Sequence, residues 1–452
     1  MFTRILMAVL LALAAFVPER GAMARDRLSL IRDAEVENTI RAFGAPIFTA
    51  AGLDPESVRV ILVNDSDLNA FVAGGMNLFI NTGLLVRADH PGQVIGVIAH
   101  EAGHIAGGHL ARLEEALRNA TAESILAMVL GAAAGVASGR GDVAAAVMMG
   151  GQHMAGRGLL SYSRAQESAA DQAAVRFLDS AGVSAKGLLE FMDILGDQEA
   201  LLTSRQDPYV RTHPMTRDRS DFLRHHLEGS KLAEAPLPPA FVELHRRMRA
   251  KLYAFLEPSA QTFQRYREDD TSLEARYARA VALYRKPDME KALVAVDALI
   301  AERPKDPYFR ELKGQMLFEN GRMKEALAAY REAVRLLPEQ PLLRISLGQV
   351  ETESNDPALL PKAQENLEFA VAHEPENSFA WRLLAVAYGR AGKENMASYA
   401  LANYNLLTRR LPEAIFHAGR AERSLPVGSP AWLRVQDVRN EAERLKEERK
   451  RD

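Results

Sequence analysis

The feature that most restricts how this chain can fold is a period in its C-terminal part. Ala292, Ala326, Ala363 and Ala397 recur at intervals of 34, 37 and 34 residues, and Pro304, Pro338 and Pro375 at 34 and 37. Ala280, Gly314, Gly348 and Ala385 keep a small residue where a first helix must approach its partner closely, while Tyr330, Ala333, Ala370, Trp381 and Tyr388 alternate large with small. A helical pair of this length buries its apolar face only by stacking on the next copy. The period therefore predicts a one-dimensional helical array with a concave groove. The three extra residues fall in ESNDPALLP, a turn.

This spacing is that of the tetratricopeptide repeat, and it assigns residues 256–452 to an α-solenoid. After Tyr399 the period weakens, yet Ala414, Ala418, Ala421 and Pro426 restart the second-helix pattern 17 residues after Ala397. LPEAIFHAGRAERSLP and the charged WLRVQDVRNEAERLKEERKRD are expected to be capping helices with solvated charged faces.

The other end reads as an export signal. Arg4 precedes an apolar run of 13 residues, Ile5 to Val17, and Ala22-Met23-Ala24 has the small-x-small form of a cleavage site. The run is short against the ~20 residues that span a bilayer, so a signal peptide over residues 1–24, cut after Ala24, is expected rather than an anchor. The chain has no cysteine, hence no disulfide and no thiol for a lipid, which fits a bacterial periplasm. A net charge of −3 gives no footprint for nucleic acid.

Residues 25–255 are expected to form an α+β domain, so that the whole chain is α+β but mostly α. Within it, LSLIRDAEVENTIRAFGAPIFTAAGL reads as helix, VRVILV as a strand, and NAFVAGGMNLFINTG as two strands joined at Gly74-Gly75. HPGQVIGVIAHEAGHIAGGHLARLEEAL reads as one continuous helix. Residues 124–158, rich in Met, Ala and Gly, are expected to be a buried helical hairpin or else a mobile flap that covers a site or touches a membrane or an unfolded client.

The chemistry is concentrated in His100-Glu101-Ala102-Gly103-His104. On a helix, residues four apart project from one side, so both imidazoles can grip one Zn²⁺ with Glu101 beside its open position, where it can act as a base. A third ligand must come from elsewhere. A histidine six residues beyond the second would mark another class of zinc helix, but that position is Leu110, which excludes it. His109 lies half a turn round from His100 and reads as a supporting or structural residue. Glu167, four residues before Asp171 on a stretch flanked by Ala169, Ala170, Ala173 and Ala174, is the better candidate, with Asp171 orienting a ligand histidine. Taken alone, that Glu-Asp pair would read as ordinary solvated surface.

It gains weight from a resemblance. His100-Glu101-x-x-His104 with Ser163-Arg164-x-x-Glu167-x-x-Ala170-Asp171 resembles the CAAX-prenyl-protease and heat-shock-protease family of gluzincin metallopeptidases. The likeness extends to Asn69-Ala70-Phe71, Gly83-Leu84-Leu85, Thr212-His213-Pro214 and Arg219. The resemblance implies a zincin-like fold, one Zn²⁺ held by His100, His104 and Glu167, catalysis by Glu101, a transition-state or gating role for His213, and Arg219 near the ligands. With an export signal in front and repeats behind, it implies a periplasmic endopeptidase that degrades misfolded or stalled outer-membrane β-barrel proteins, the groove recruiting clients or the assembly machinery. Separately, Asn69, Ala70 and Phe71 can supply an edge strand to which an extended substrate adds. The competing expectation is a chaperone or assembly adaptor whose metal site is autoinhibited or structural.

Overall fold

The structure is a computed structural model that describes residues 29–109, 164–196, 213 and 216–451. The expected signal peptide over residues 1–24 and the 124–158 segment lie outside the described residues.

Strand β1 (Leu30–Ile31) leads into helix α1 (Ala34–Ala50), whose first turn is capped by the Asp33 carboxylate accepting from the Val36 amide. The expected all-helical start is thus shortened by a two-residue strand, because Leu30 and Ile31 pair antiparallel with Val63 and Leu62. Strands β2 (Arg59–Val63), β3 (Ala70–Ala73) and β4 (Asn77–Asn81) complete a sheet of order β1-β2-β4-β3. The chain passes from β2 to the far edge and returns through Gly74-Gly75, both at positive φ (57° and 93°), where glycine is strain-free. β4 therefore lies between β2, to which it is parallel, and β3, to which it is antiparallel, which leaves β3 at the edge.

After the short α2 (Thr82–Arg87), helix α3 (Pro91–Ala106) runs through the middle of the domain. Pro91 opens it without losing a needed amide, and every residue from Pro91 to His104 is buried. A helix apolar on all sides must be surrounded. It is packed by α1, by β3, by helix α4 over 164–180, and by α5 (Lys186–Gly196). The expected continuous helix is interrupted at Gly107 and Gly108, and its LARLEEAL part lies outside the described residues. The helix ends at Ala106, and Gly108, at φ 61°, takes the left-handed conformation that breaks it.

Helices α6 (Arg217–Gly229) and α7 (Pro239–Leu256) close this core. α7 serves two cores: Met248 and Leu252 join the first, whereas Ala250 and Ala254 join Tyr277, Val281 and Phe309 of the repeats. After α8 (Ser259–Arg265) the repeats follow as α9 (Leu273–Arg285) with α10 (Met289–Glu302), α11 (Pro307–Glu319) with α12 (Met323–Leu336), α13 (Pro341–Glu353) with α14 (Leu360–His373), and α15 (Ser378–Arg390) with α16 (Glu394–Leu407). The repeat period is therefore realised as four helix pairs. Helices α17 (Leu411–Glu422) and α18 (Pro430–Arg451) cap the array through Ala418, Ala421, Leu425, Val435 and Val438.

Candidate metal centre

The buried length of α3 explains why its imidazoles can be held so closely. His100 and Glu101 are fully buried and His104 nearly so. Glu167 and Asp171 project from α4 one turn apart, and the two helices meet where Gly103 faces Ala170: a methyl group on Gly103 would lie 2.8 Å from the Ala170 carbonyl oxygen. The glycine inside the His-Glu-x-x-His motif is what lets α4 bring its carboxylates in.

Donor atoms of three residues converge. His100 Nε2 and His104 Nε2 are 3.1 Å apart, and each is 3.3 Å from an oxygen of Glu167. A tetrahedral ion with ligand distances of about 2.0–2.1 Å requires edges of about 3.3 Å between ligand atoms. The separations have that size, with His100 facing Oε2 and His104 facing Oε1 of the carboxylate. His213 Nδ1 supplies a fourth corner, 3.1 Å from Glu167 and 3.4 Å from His100 Nε2, and the ligand atoms of all four residues lie within 4.8 Å of one another.

Around this cage each ligand is fixed from behind. His100 Nδ1 meets Asp171 Oδ1 at 2.9 Å, so its Nε2 is free to point inward. Arg219 donates to both oxygens of Asp171, at 2.6 and 2.9 Å, and its third nitrogen pairs with Glu167 at 3.0 Å. His109 Nδ1 reaches His104 Nδ1 at 3.1 Å, which the turn at Gly108 makes possible. The supporting position expected for His109 is reached through the left-handed Gly108 rather than by a continuous helix.

Burial presses on every group here. It works against the His100 cation, but hydrogen bonds to Asp171 and Glu167 more than offset it and raise His100 to about 9. His104, buried with weaker compensation, falls to about 3. Burial would raise Glu167 and Asp171, yet the surrounding histidines and Arg219 hold both below the usual carboxylate range. Glu101 is pushed up by burial. Neither of its oxygens has a hydrogen-bond partner among the described residues, and Oε1 lies 3.6 Å from His213 Nε2. Two unbonded carboxylate oxygens beside a cage of inward-facing nitrogen and oxygen donors fit a site made for a cation and a polar reactant.

Residues 32–227 match the description Peptidase family M48. That stretch is a metalloprotease domain. Residues 259–307 and 294–341 match the tetratricopeptide repeat, so the chain joins a metalloprotease domain to a helical repeat array. The chain is 24% identical to the beta-barrel assembly-enhancing protease of Yersinia pestis over 432 residues, covering 92% of this chain and 85% of that one. It is also 24% identical to the protein of the same name from Escherichia coli K12, over 93% of this chain and 87% of the relative. The metalloprotease YcaL of Escherichia coli K12 is 25% identical over 37% of this chain and 61% of its own.

The residues singled out in the sequence are brought together: His100, Glu101, His104, Glu167, Asp171, His213 and Arg219 occupy one buried cluster. Asn69, Ala70 and Phe71 lie at the edge strand and its approach, where Phe71 stacks on Phe79 at 4.8 Å, and α3 packs against that strand. Two features escaped the sequence reading. Gly103 was legible only as a motif spacer, and the double grip of Arg219 on Glu167 and Asp171 has no local signature.

Proposed function

We propose that this protein is a zinc endopeptidase of the periplasm, with the peptidase domain over 25–255 and the repeat domain over 256–452, acting on misfolded or stalled outer-membrane β-barrel proteins. The client class follows the names of its relatives, and the repeats fit protein partners, including the assembly machinery. The chemistry rests on one observation, the cage of His100, His104, Glu167 and His213 with Glu101 unbonded at its side.

His100, His104 and Glu167 hold the ion, two imidazoles and one carboxylate being the donor set that zinc takes in hydrolytic sites. When bound, zinc polarises the scissile carbonyl and activates water. Glu101 accepts the proton of the attacking water and passes it to the departing amine, for which its oxygens are not otherwise engaged. Asp171 and Arg219 keep His100 and Glu167 aimed, and β3 offers an edge that no strand among the described residues pairs, on which an extended peptide lies beside α3. A strand already paired within a barrel cannot add to that edge, which selects unfolded clients. His213 holds the fourth corner, so its ring must withdraw for a substrate carbonyl to enter, and the position favours a closed resting site.

Glu101→Gln tests the reading: it should retain stoichiometric zinc and lose hydrolysis of an unfolded β-barrel protein. Retained hydrolysis would reject catalysis at this cluster. Elemental analysis that finds no zinc in the folded wild type would reject the metal assignment.

A further inference from the structure

The repeat register makes the inner surface of the solenoid readable position by position. Counting from the close-approach residues Ala280, Gly314, Gly348 and Ala385, the residues three before are Tyr277, Glu311, Ile345 and Arg382, and those six before in the second to fourth units are Tyr308, Leu342 and Phe379. In the first three units these positions are taken by the chain's own α1. The Tyr277 hydroxyl donates to Glu35 at 2.7 Å, Asn38 donates to the Tyr308 hydroxyl at 2.9 Å, and Ala34 is buried in one apolar cluster with Leu342 and Ile345. At the end of this interface Arg32 pairs at 2.7 Å with Glu374, which caps the C-terminus of α14 and opens the turn into α15.

In the fourth unit nothing among the described residues covers the same positions. Phe379 and Val386 are 41% and 39% exposed, beside the exposed Arg382, whose guanidinium lies 5.1 Å over the Phe379 ring. Arg390, also exposed, extends the same stripe by one helical turn. We infer that this stripe of α15, continuous with the groove that α1 fills, docks a segment of a partner protein carrying an acidic side chain between apolar ones. The two apolar side chains would take the partner's apolar groups and Arg382 its carboxylate. The inference rests on the reading that the repeats recruit protein partners, and it moves that recruitment away from the first three units.

The test uses the full chain and two fluorescent 12-residue peptides, one with a leucine–aspartate–leucine core and one with lysine in place of the aspartate. The acidic peptide should bind at least tenfold more tightly than the basic one. Phe379→Ser and Val386→Ser should each weaken it about tenfold, and Arg382→Glu should exchange the preference between the two peptides. All three positions are exposed, and unchanged melting temperatures would confirm that the variants fold. Equal binding of the two peptides, no binding of either, or wild-type binding by Arg382→Glu would overturn the inference. So would sedimentation showing that the stripe joins two copies of this chain. Hydrolysis of casein by the same variants separates this from the peptidase reading: binding lost with hydrolysis intact supports the docking stripe, whereas normal binding by all three with hydrolysis intact refutes the stripe alone.

Discussion

Gly103→Ala should loosen the metal site without touching a ligand. The added methyl would sit 2.8 Å from the Ala170 carbonyl oxygen and 3.0 Å from its α-carbon, against ordinary contacts that begin near 3.4 Å. Relief requires α4 to withdraw by about half an ångström, since close-packed interiors have no slack to absorb it. Glu167 lies one turn from Ala170 on the same helix and must move with it. Metal–ligand distances tolerate about 0.2 Å, so the displacement exceeds what coordination allows. For stability two effects compete. Alanine gains about 1 kcal/mol of helix propensity over glycine, while overpacking costs about 1–3 kcal/mol. The net is a loss of about 0–2 kcal/mol.

Metal affinity has no such compensation and should fall about tenfold or more, read by competition against a chromophoric chelator. Gly96→Ala is the control. Its methyl would lie 2.7 Å from the backbone of Leu188, an equal overlap, but α5 carries none of the proposed ligands. It should lower the melting temperature comparably and leave metal affinity within about twofold. If both variants bind metal like the wild type, or both lose it equally, the argument that Gly103 sets the position of Glu167 is wrong.

Removing the carboxylate behind His100, as Asp171→Asn, should weaken metal binding about 10–100-fold, and it leaves Arg219 buried beside fewer negative oxygens; wild-type affinity by the same chelator competition would count against the support described. Freeing the fourth corner, as His213→Ala, should raise the rate on an unfolded substrate while keeping zinc, and a lower rate would assign His213 to the transition state instead. Chelation should lower the melting temperature of the wild type, since an ion that binds only the folded state stabilises it; an unchanged melt would speak against a resident ion. The Arg32–Glu374 pair ties pH to the junction of domain and repeats. Burial works against the Glu374 carboxylate, but Arg32 holds it below its ordinary value, so its contribution is present above about pH 4.5 and lost as pH falls through the lowered value. Arg32 is 39% exposed, so the effect is screened and small. Glu374→Gln should lose stability at neutral pH and show a shallower acid limb, and parallel limbs would refute the linkage.

How much of this was legible beforehand follows from how local each signal is. The period of the repeats and the alternation in NAFVAGGMNLFI are local, and they gave the helix pairs and the hairpin in place. The two histidines and Glu101 were legible for the same reason, since a helix fixes which side chains share a face. Glu167 is brought in across about sixty residues by small-residue packing, and its spacing alone did not separate it from a surface glutamate; the resemblance did. The apolar run predicts a helix through 107 and 108, but Gly108 takes the left-handed conformation that ends it and brings His109 to His104. The use of the groove by α1 could not be read at all, because Glu35, Asn38 and Ala34 acquire partners only when two distant stretches are packed together.

That packing bears on how the two halves work. Glu35 is almost fully buried, within reach of the Tyr277 hydroxyl on one side and the Arg247 guanidinium, at 2.7 Å, on the other, while Lys251 spans to Asp33 at 2.7 Å. Buried charges of this kind are costly when separated, because each partner left behind keeps the desolvation and loses the attraction. Pulling the first three units away from α1 would take the Tyr277 hydroxyl from Glu35 and Asp306, at 2.5 Å, from Arg247, and it would expose the Ala250 and Ala254 face of α7, whose opposite face helps to close the peptidase core. Release of α1 by the repeats to admit a client would therefore break buried polar contacts and uncover one face of α7. A partner that binds without that penalty must use the surface the structure leaves open, and along the inner register this is the fourth unit.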